Sequence, residues 1–598
     1  MTQRKSPSES HHTASASALD TAELGAIMMS VLNRVQPLVS ASLEKAGKAL
    51  SHDPLDIRNA YIDFMKSLLA NPEKMANLQL QYWQNWMAIW ENVWKKYQGE
   101  PLEDIYKPET GDKRFKSAEW QNNLLFDFIK QSYLMTRQWM DQTIQNTPDM
   151  EDGQQDRLRF SARQFADALS PTNFVLTNPD VLRETIRTGG ENLVRGFENL
   201  LSDMERGQGD LKISTTNYKA FEVGRNLATT PGSVVYQNDL IQLIQYTSTT
   251  DKVYARPLLI IPPWINKYYI LDMRPENSFV KWLVDQGHTV FMVSWINPDK
   301  TYADRTFEDY MQGGILDALT FIEHRTGSTD TNVIGYCIGG TLLTMTLAWM
   351  KAQNQDHRIA SATFLTTLID FENAGDLKLF ADNKAISFLD DAIQENGVLP
   401  GSYLSNTFSA LRANDLIWSF VINNYLMGKE PFPFDLLYWN DDSTNMPGVL
   451  HLHYLRAMYR DNLLVKPGGM SLAGSALDVR TIDTPAFFLS TREDHIAPWK
   501  ATYAGARLFS GPVDFTLAAS GHIAGVVNPP TGKKYCFWES AHLPEDPKAW
   551  MKQAVEKPGS WWTYWQTWIE PFAGEKVEKR EIMNAIEPAP GSYVRRQA

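Results

Sequence analysis

The sequence predicts an α/β fold, with a mostly parallel, doubly wound sheet, preceded by a helical N-terminal domain. Short apolar segments such as RPLLIIPP (256–263) and HTVFMVSW (288–295) alternate with helix-like segments after about residue 221. This alternation is typical of parallel strands joined by helical crossovers. Before residue 221 the apolar spacing is helical almost throughout, and no strand pattern occurs.

The N-terminal part divides into two segments. Residues 1–20 are rich in Ser, Thr, His and Ala and are predicted to form a disordered tail, and residues 21–220 form the helical domain. Four indoles lie on one predicted helix face, spaced by three, four and four residues: Trp83, Trp86, Trp90 and Trp94. Such a face is either a buried seam between helices or an exposed contact for a hydrophobic surface or partner.

Residues 221–598 contain the alternating strands and helices and form the predicted sheet domain. Between about 371 and 483 the alternation stops, and aromatic loops and helical pieces replace it. An insertion of this length between two parallel strands usually lies over the carboxyl edge of the sheet, so we expect a lid there.

Composition and charge limit the class of function. The 598-residue chain carries a formal charge of −13, so it has no general basic face and we expect no nucleic-acid partner. Only two cysteines occur, which excludes a disulfide framework and favours a reducing, cytoplasmic location. The N-terminus lacks the apolar segment of a secretory signal, and the absence of any run of about 18 apolar residues predicts no membrane span.

One of the two cysteines lies in GYCIGG (335–340). A predicted strand, a glycine-flanked turn and a helix surround Cys337, which is the pattern of a nucleophile elbow in the α/β-hydrolase fold. The helix N-terminus favours a thiolate and an oxyanion. We expect the N–H of Ile338 to be the first oxyanion donor, and Trp264 or Ile265 to supply the second. The alternative for Cys337 is a small buried residue in a tight turn.

A thiol nucleophile needs a base and a residue that orients the base. In this fold the chain order is nucleophile, acid, histidine. His522 follows the predicted strand VDFTLAAS, and Asp494 ends FFLSTRED 28 residues earlier (522 − 494), which leaves room for one helix and one strand. The alternatives are a polar loop histidine and a helix-capping carboxylate. His495 is a rival base, but beside Asp494 it is expected to point elsewhere and to line the pocket. Cys536 is expected to lie past the last strand, in a structural role.

A cysteine at this position favours acyl transfer. Exchanging one thioester for another is nearly neutral in free energy, so a thiolate suits the transfer of an acyl group from a coenzyme A thioester. A lid rich in aromatic side chains would keep water away from the acyl-enzyme.

Several long segments, between about residues 80 and 575, resemble the polyhydroxyalkanoate synthases of the class I type. These segments are GYCIGGT (335–341), PPWINKYYILDMRPENSFVKWLVDQGHTVFMVSWINPD (262–299), PFDLLYWNDDSTNMP (433–447), REDHIAPW (492–499), SGHIAGVVNPP (520–530), SWW (560–562) and DKRFKSAEW (112–120). The resemblance implies an α/β-hydrolase-type acyltransferase that polymerises (R)-3-hydroxyacyl-CoA into a polyester and releases CoA.

By position, the resemblance implies that Cys337 holds the growing chain as a thioester and that His522 is the base. Asp494 either orients His522 or activates the 3-hydroxyl of the incoming unit. GYCIGG resembles the type that prefers short monomers such as 3-hydroxybutyryl. No metal or cofactor is implied, since the coenzyme A thioester is the substrate. The family also implies homodimers in the cytoplasm, at the surface of polyester granules.

Two alternatives stay open. One is a cysteine-nucleophile hydrolase of the thioesterase or dienelactone-hydrolase-like type, although such enzymes are usually much shorter than 598 residues. The other is a non-catalytic granule-coat protein with an inactive hydrolase fold, against which the intact Cys337, Asp494 and His522 argue.

Overall fold

The structure, a computed structural model, describes residues 57–597 except 110, 148–149 and 151–152, together with residue 55. The predicted disordered tail at 1–20 lies outside the described residues, as does the start of the predicted helical domain.

Seven α-helices occupy the described part of the chain before residue 207. They are α1 (Ile57–Ala70), α2 (Pro72–Tyr97), α3 (Glu119–Asn122), α4 (Leu124–Gln145), α5 (Gln154–Ala168), α6 (Pro179–Arg187) and α7 (Glu191–Arg206). Pro72 and Pro179 begin their helices, where the missing N–H has no partner in the helix to lose. The predicted domain boundary at about residue 220 stays a prediction.

The face of α2 that carries Trp83, Trp86, Trp90 and Trp94, here called the Trp face, is not the buried face of that helix. Ile89 and Val93 are buried in contact with α4. Three of the four indoles are exposed by 59%, 50% and 46%, respectively: Trp83, Trp90 and Trp94. The interpretation of this face as a buried seam is therefore wrong for these three residues, because Ile89 and Val93 supply the buried contact instead.

The sheet domain is built on one sheet of eleven strands. In chain order they are β1 (Gly232–Gln237), β2 (Ile241–Tyr246), β3 (Leu258–Ile261), β4 (Val290–Trp295), β5 (Thr331–Tyr336), β6 (Ile359–Leu365), β7 (Ala486–Thr491), β8 (Val513–Ala518), β9 (Cys536–Glu539), β10 (Val555–Pro558) and β11 (Glu587–Pro588). The spatial order is β10-β9-β8-β7-β6-β5-β3-β4-β2-β1-β11. Six neighbouring strands in the middle of the sheet are parallel to one another: β8, β7, β6, β5, β3 and β4. The outer strands pair antiparallel with their neighbours. The predicted α/β fold class is confirmed.

Both faces of the sheet are buried. Alternate residues of β3 and β4 enter two different apolar clusters, because successive side chains of a strand point to opposite faces. One cluster contains Leu259, Ile261, Phe291 and Val293, and the other contains Leu258, Ile260, Val290 and Met292. The helices of the sheet domain are α8 (Phe279–Asp285), α9 (Phe307–Asp309), α10 (Asp317–Thr326), α11 (Ile338–Ala352), α12 (Asn383–Asn396), α13 (Gly401–Leu411), α14 (Asp435–Asp441), α15 (Gly448–Tyr454), α16 (Trp499–Ala506), α17 (Pro547–Gln553) and α18 (Trp561–Ala573).

The insertion between β6 and β7 is mainly helical and contacts the helical N-terminal region. It contains α12 to α15 and π-helical segments such as Val421–Leu426. Arg157 of α5 pairs with Asp382 of the insertion at 2.6 Å. Gly196 of α7 lies so close to the insertion that a Cβ there would be 1.8 Å from the carbonyl oxygen of Tyr425. The N-terminal region is therefore attached directly to the insertion.

Cys536 does not lie past the last strand. It begins β9, which pairs antiparallel with β8, and β10 and β11 follow. All four residues of β10 are exposed, so no apolar alternation marks that strand in the sequence. Both cysteines of the chain are free thiols.

Candidate active site

Cys337 occupies a strained turn between β5 and α11. Its backbone has φ 53° and ψ −124°, a conformation that residues other than glycine rarely adopt. The N–H of Cys337 donates to the carbonyl of Leu365, at the end of β6, at 2.9 Å. The turn therefore has the geometry of a nucleophile elbow and places the sulfur at the N-terminus of a helix.

Glycines around the elbow are required because other atoms approach them closely. A Cβ on Gly339 would lie 2.4 Å from the carbonyl oxygen of Ile261, and a Cβ on Gly335 would lie 2.5 Å from the Cα of Gly340. A Cβ on Gly340 would lie 2.0 Å from Oγ1 of Thr367. A larger residue at any of the three positions would displace the turn or a neighbouring strand.

Asp494 and His522 lie in the loops that follow two adjacent parallel strands, β7 and β8. Nδ1 of His522 is 2.7 Å from Oδ2 of Asp494, and both side chains are buried. Oδ1 of Asp494 accepts the N–H groups of Ile496 and Ala497 at 2.8 and 2.9 Å. Oδ2 also accepts the hydroxyl of Thr491 at 3.1 Å. Asp494 is thereby held in one orientation against the imidazole.

The electrostatic environment favours a protonated His522. Burial alone would lower the pKa of His522, but the charges of Asp494 and the Cys337 sulfur, with hydrogen bonds to both, raise that pKa to about 10. Tyr336 stacks on the imidazole at a centroid distance of 5.7 Å, and its hydroxyl donates to the His522 carbonyl at 3.1 Å. The structure thus brings Cys337, His522 and Asp494 together.

The predicted oxyanion residues lie beside the elbow. Ile338 is the first residue of α11, so its N–H has no carbonyl partner within that helix. Ile265 lines the cavity that contains Cys337. The side chain of Trp264 is instead buried in the core, edge-on to Trp295 at 5.6 Å. The oxyanion roles of these residues stay predictions.

His495 lines the same cavity as His522. Burial lowers the pKa of His495 to about 4, which keeps its imidazole neutral near pH 7. Its Nδ1 has no hydrogen-bond partner among the described residues. This position agrees with a pocket residue, and its functional role stays a prediction.

Two cavities meet at Cys337. The larger, of about 540 Å³, lies between the loops that follow β7 and β8 and the insertion, and it is lined by His522 and by Phe408 of α13. The smaller, of about 250 Å³, is mainly apolar and is lined by residues of the insertion that include Leu404 and Tyr459. An acyl group on the sulfur would therefore have space on two sides.

Tyr336 and Thr491 are not among the predicted site residues, although both adjoin predicted catalytic segments. Tyr336 ends β5 directly before Cys337, and Thr491 ends β7 three residues before Asp494. A polar residue at the carboxyl end of a parallel strand is the signal that could have identified them. The cavity residues of the insertion carry no such signal, because only the fold brings them to Cys337.

Two kinds of feature are absent from the residues that the structure describes. No group of three or more His, Cys, Asp or Glu side chains there could hold a metal ion. No helix in the same part of the chain is long and apolar enough to cross a membrane.

The sheet order, the elbow and the His–Asp pair define a protein of the α/β-hydrolase superfamily. A family model described as alpha/beta hydrolase fold matches residues 257–529. A second family model, described as Poly-beta-hydroxybutyrate polymerase (PhaC) N-terminus, matches residues 111–283.

Relatives extend this match over most of the chain. A protein of Methylorubrum extorquens named Poly(3-hydroxyalkanoate) polymerase is 46% identical over 535 residues, which cover 89% of this chain and 88% of the relative. Proteins named Poly(3-hydroxyalkanoate) polymerase subunit PhaC are 45% identical in Rhizobium meliloti (89% and 87% covered) and 41% identical in Cupriavidus necator (90% and 91% covered). The chain therefore belongs to the poly(3-hydroxyalkanoate) polymerase family, whose members are polyester-forming acyltransferases.

Proposed function

We propose that the protein polymerises (R)-3-hydroxyacyl-CoA, chiefly 3-hydroxybutyryl-CoA, and that Cys337 carries the growing chain as a thioester. The observation that carries this proposal is the chain of contacts from the elbow cysteine through His522 to Asp494. The resemblance of GYCIGG to synthases that prefer short monomers supports the choice of substrate. Coenzyme A is part of the substrate, and the proposal needs no cofactor.

In the first half-reaction, the proton of the Cys337 thiol has already passed to His522, and the thiolate attacks the carbonyl carbon of the substrate thioester. The carbonyl oxygen becomes an oxyanion, which the N–H of Ile338 stabilises at the N-terminus of α11. The bond to the sulfur of CoA then breaks, and the CoA thiolate takes the proton from His522. Cys337 is left as a thioester of the hydroxyacyl unit.

In the second half-reaction, the 3-hydroxyl of a further hydroxyacyl-CoA gives its proton to His522, and its oxygen attacks the thioester on Cys337. An ester bond forms and the Cys337 thiolate leaves, so the chain is longer by one unit and ends in a CoA thioester. Cys337 recaptures this chain by repeating the first half-reaction.

The surroundings of Asp494 support an orienting role rather than activation of the 3-hydroxyl. Its carboxylate accepts hydrogen bonds from His522, Thr491, Ile496 and Ala497, which fills its acceptor sites. It is also absent from the described lining of both cavities at Cys337. Asp494 then acts by fixing the imidazole and stabilising its protonated form.

The proposal also includes a location and an assembly. We propose a homodimer in the cytoplasm, at the surface of polyester granules, with the exposed Trp face of α2 in contact with the granule. Exposed indoles on one helix face are the kind of apolar surface that favours such a contact.

Incubation of the purified protein with (R)-3-hydroxybutyryl-CoA tests the reaction. We expect CoA release together with insoluble polyester. Release of CoA with free 3-hydroxybutyrate and no polymer would identify a hydrolase instead.

Substitution of each cysteine tests the role of Cys337. Cys337→Ala should abolish CoA release, and Cys337→Ser should retain little, because a hydroxyl is far harder to ionise than a thiol. Cys536→Ala removes the other cysteine of the chain and should keep the wild-type rate. Polymer accumulation supported by Cys337→Ala, in cells without another synthase, would show that Cys337 does not carry the growing chain.

A further inference from the structure

The cavity at Cys337 extends to the helical N-terminal region. Its wall includes Lys113, from the loop between α2 and α3, together with Arg412 and Asp415 of the insertion. The same three residues also line a second cavity, of about 820 Å³, between that loop and the insertion. The two cavities therefore adjoin at this wall, and the first cavity alone is lined by both Lys113 and Cys337.

The loop that carries Lys113 is held in place by its neighbours. Arg114 is largely buried and pairs with Asp112 at 2.9 Å and with Asp167 at 3.2 Å. It also donates to the side chain of Asn414, in the insertion, at 3.2 Å. These contacts attach the loop to the N-terminal region and to the insertion, while Lys113 stays exposed at the cavity wall.

Most charges around the second cavity are neutralised by ion pairs. Four ion pairs lie within the wall: Arg114–Asp112, Arg137–Glu109, Arg183–Asp180 and Arg412–Asp415. A fifth joins Glu184 of the wall to Arg187, which lies outside it. Among the described residues, Lys113 and Lys429 have no carboxylate within 4 Å, and Glu493 has no cation within that distance. The unpaired charges of this wall are therefore two lysines and one glutamate.

We propose that Lys113 binds the phosphate groups of the coenzyme A thioester, whose uncharged pantetheine arm runs from Lys113 to Cys337 through the cavity that both residues line. This inference rests on the proposed function and adds to it a binding site for the distal part of the substrate. A coenzyme A thioester ends in a phosphorylated nucleotide, and a protein with a formal charge of −13 needs a local cation to attract that anion. The ammonium of a lysine is an ordinary phosphate ligand.

Under this proposal, the N-terminal region completes the substrate site of the sheet domain. The two side chains of the loop then have different tasks. Arg114 makes the contacts that hold the loop and the insertion, whereas Lys113 makes none of them. If Lys113 has a structural role, its substitution lowers kcat/KM for every substrate equally. If Lys113 contacts phosphate, its substitution lowers kcat/KM only for substrates that carry phosphates.

The test compares 3-hydroxybutyryl-CoA with 3-hydroxybutyryl-pantetheine, which keeps the thioester and the arm but lacks the phosphates. Thiol release is measured for both. In Lys113→Gln the ratio of kcat/KM for the CoA thioester to kcat/KM for the pantetheine thioester should fall roughly three- to tenfold, through a higher KM for the CoA thioester. Lys113→Arg should restore most of the ratio. Lys116→Gln, an exposed lysine of the same loop that lines neither cavity, should keep the wild-type ratio.

An equal loss on both thioesters would overturn the proposal in favour of a structural role, and an unchanged ratio in Lys113→Gln would also overturn it. If circular dichroism shows that Lys113→Gln does not fold, adenosine 3′,5′-bisphosphate gives a second measurement on the wild type. It should bind more weakly at high salt and compete with the CoA thioester, and failure to compete would overturn the site. A wild-type protein that releases no thiol from either substrate would overturn the proposed function instead, and calorimetry of bisphosphate binding would still test Lys113.

Discussion

The sheet domain and the helical N-terminal region are stabilised by different contacts. In the sheet domain, apolar side chains fill both faces of the sheet, and at the elbow Gly339 packs directly against the backbone of Ile261. In the N-terminal region the apolar clusters are small, and a buried ion network lies among the helices. Lys130 there pairs with Asp104 at 2.7 Å and with Asp127 at 3.0 Å.

The two regions therefore depend on two different kinds of contact, close packing and ion pairs. The geometry at Cys337 depends on close packing, so it tolerates no added atoms and little movement. The N-terminal region depends on paired charges, leaves indoles of α2 exposed, and reaches the cavity at Cys337 through the loop that carries Lys113. Substitutions in the two regions should therefore differ in kind as well as in size.

Among substitutions that keep Cys337 and His522, Asp494→Asn should have the strongest effect on catalysis. Loss of the carboxylate beside His522 is expected to lower kcat for CoA release by roughly 10³-fold or more, because the imidazole loses its orientation and the partner of its protonated form. Thr491→Val removes only one of the hydrogen bonds to Asp494 and should cost about tenfold or less. Equal losses in the two variants would contradict the orienting role of Asp494.

The stability of Asp494→Asn should also depend on pH differently from the stability of the wild type. The folded-state pKa of His522 is raised from 6.5 to about 10, so its protonated form stabilises the protein fully below about pH 6.5, and this contribution is lost as the pH rises through about 10. Asp494→Asn removes one cause of the raised pKa. The midpoint of urea unfolding should therefore fall less in the variant than in the wild type between about pH 7 and pH 10. Parallel curves would show that Asp494 does not raise the pKa of His522.

Lys130→Met should destabilise the N-terminal region. The substitution leaves the buried Asp127 and the half-buried Asp104 with one cation fewer, which is expected to cost about 3 kcal/mol, seen as an earlier unfolding transition of the helical region. The matched control is Lys107→Met, which removes an exposed pair with Glu103 and should change the transition very little. A loss in Lys130→Met no larger than in the control would show that the buried network does not stabilise this region.

Gly339→Ala should destabilise the sheet domain, although alanine normally stabilises a helix relative to glycine by about 1 kcal/mol. Its Cβ would lie 2.4 Å from the carbonyl oxygen of Ile261, so the elbow must shift, at an expected net cost of about 2 kcal/mol in unfolding experiments. Gly532→Ala places its Cβ in open space and should stay within about 0.5 kcal/mol of the wild type. A stabilised Gly339→Ala would contradict the close packing described at the elbow.

The contrast between the sheet domain and the helical N-terminal region also determines how much could be predicted from the sequence. Each central strand is an apolar run bounded by turn residues, and Cys337, Asp494 and His522 each follow such a run, so their approach at one sheet edge was predictable. The exposed strand β10 has no apolar pattern, and the spacing of the indoles defines a helix face without showing which face packs. The cavity at Lys113 depends on contacts such as that of Arg114 with a residue 300 positions away, which no local pattern reports.

The Trp face should contribute little to the stability of the protein and more to its binding to granules. Trp83→Ser combined with Trp94→Ser should shift the free energy of unfolding by only about 0.5 kcal/mol per site, because both side chains are largely solvated. The fraction of the protein bound to granules in polymer-producing cells should nevertheless fall, while CoA release by the soluble enzyme stays unchanged. Leu176→Ser combined with Ile186→Ser removes two exposed apolar side chains elsewhere in the same region and should leave granule binding intact. Equal granule binding by both double variants would show that α2 is not the contact surface.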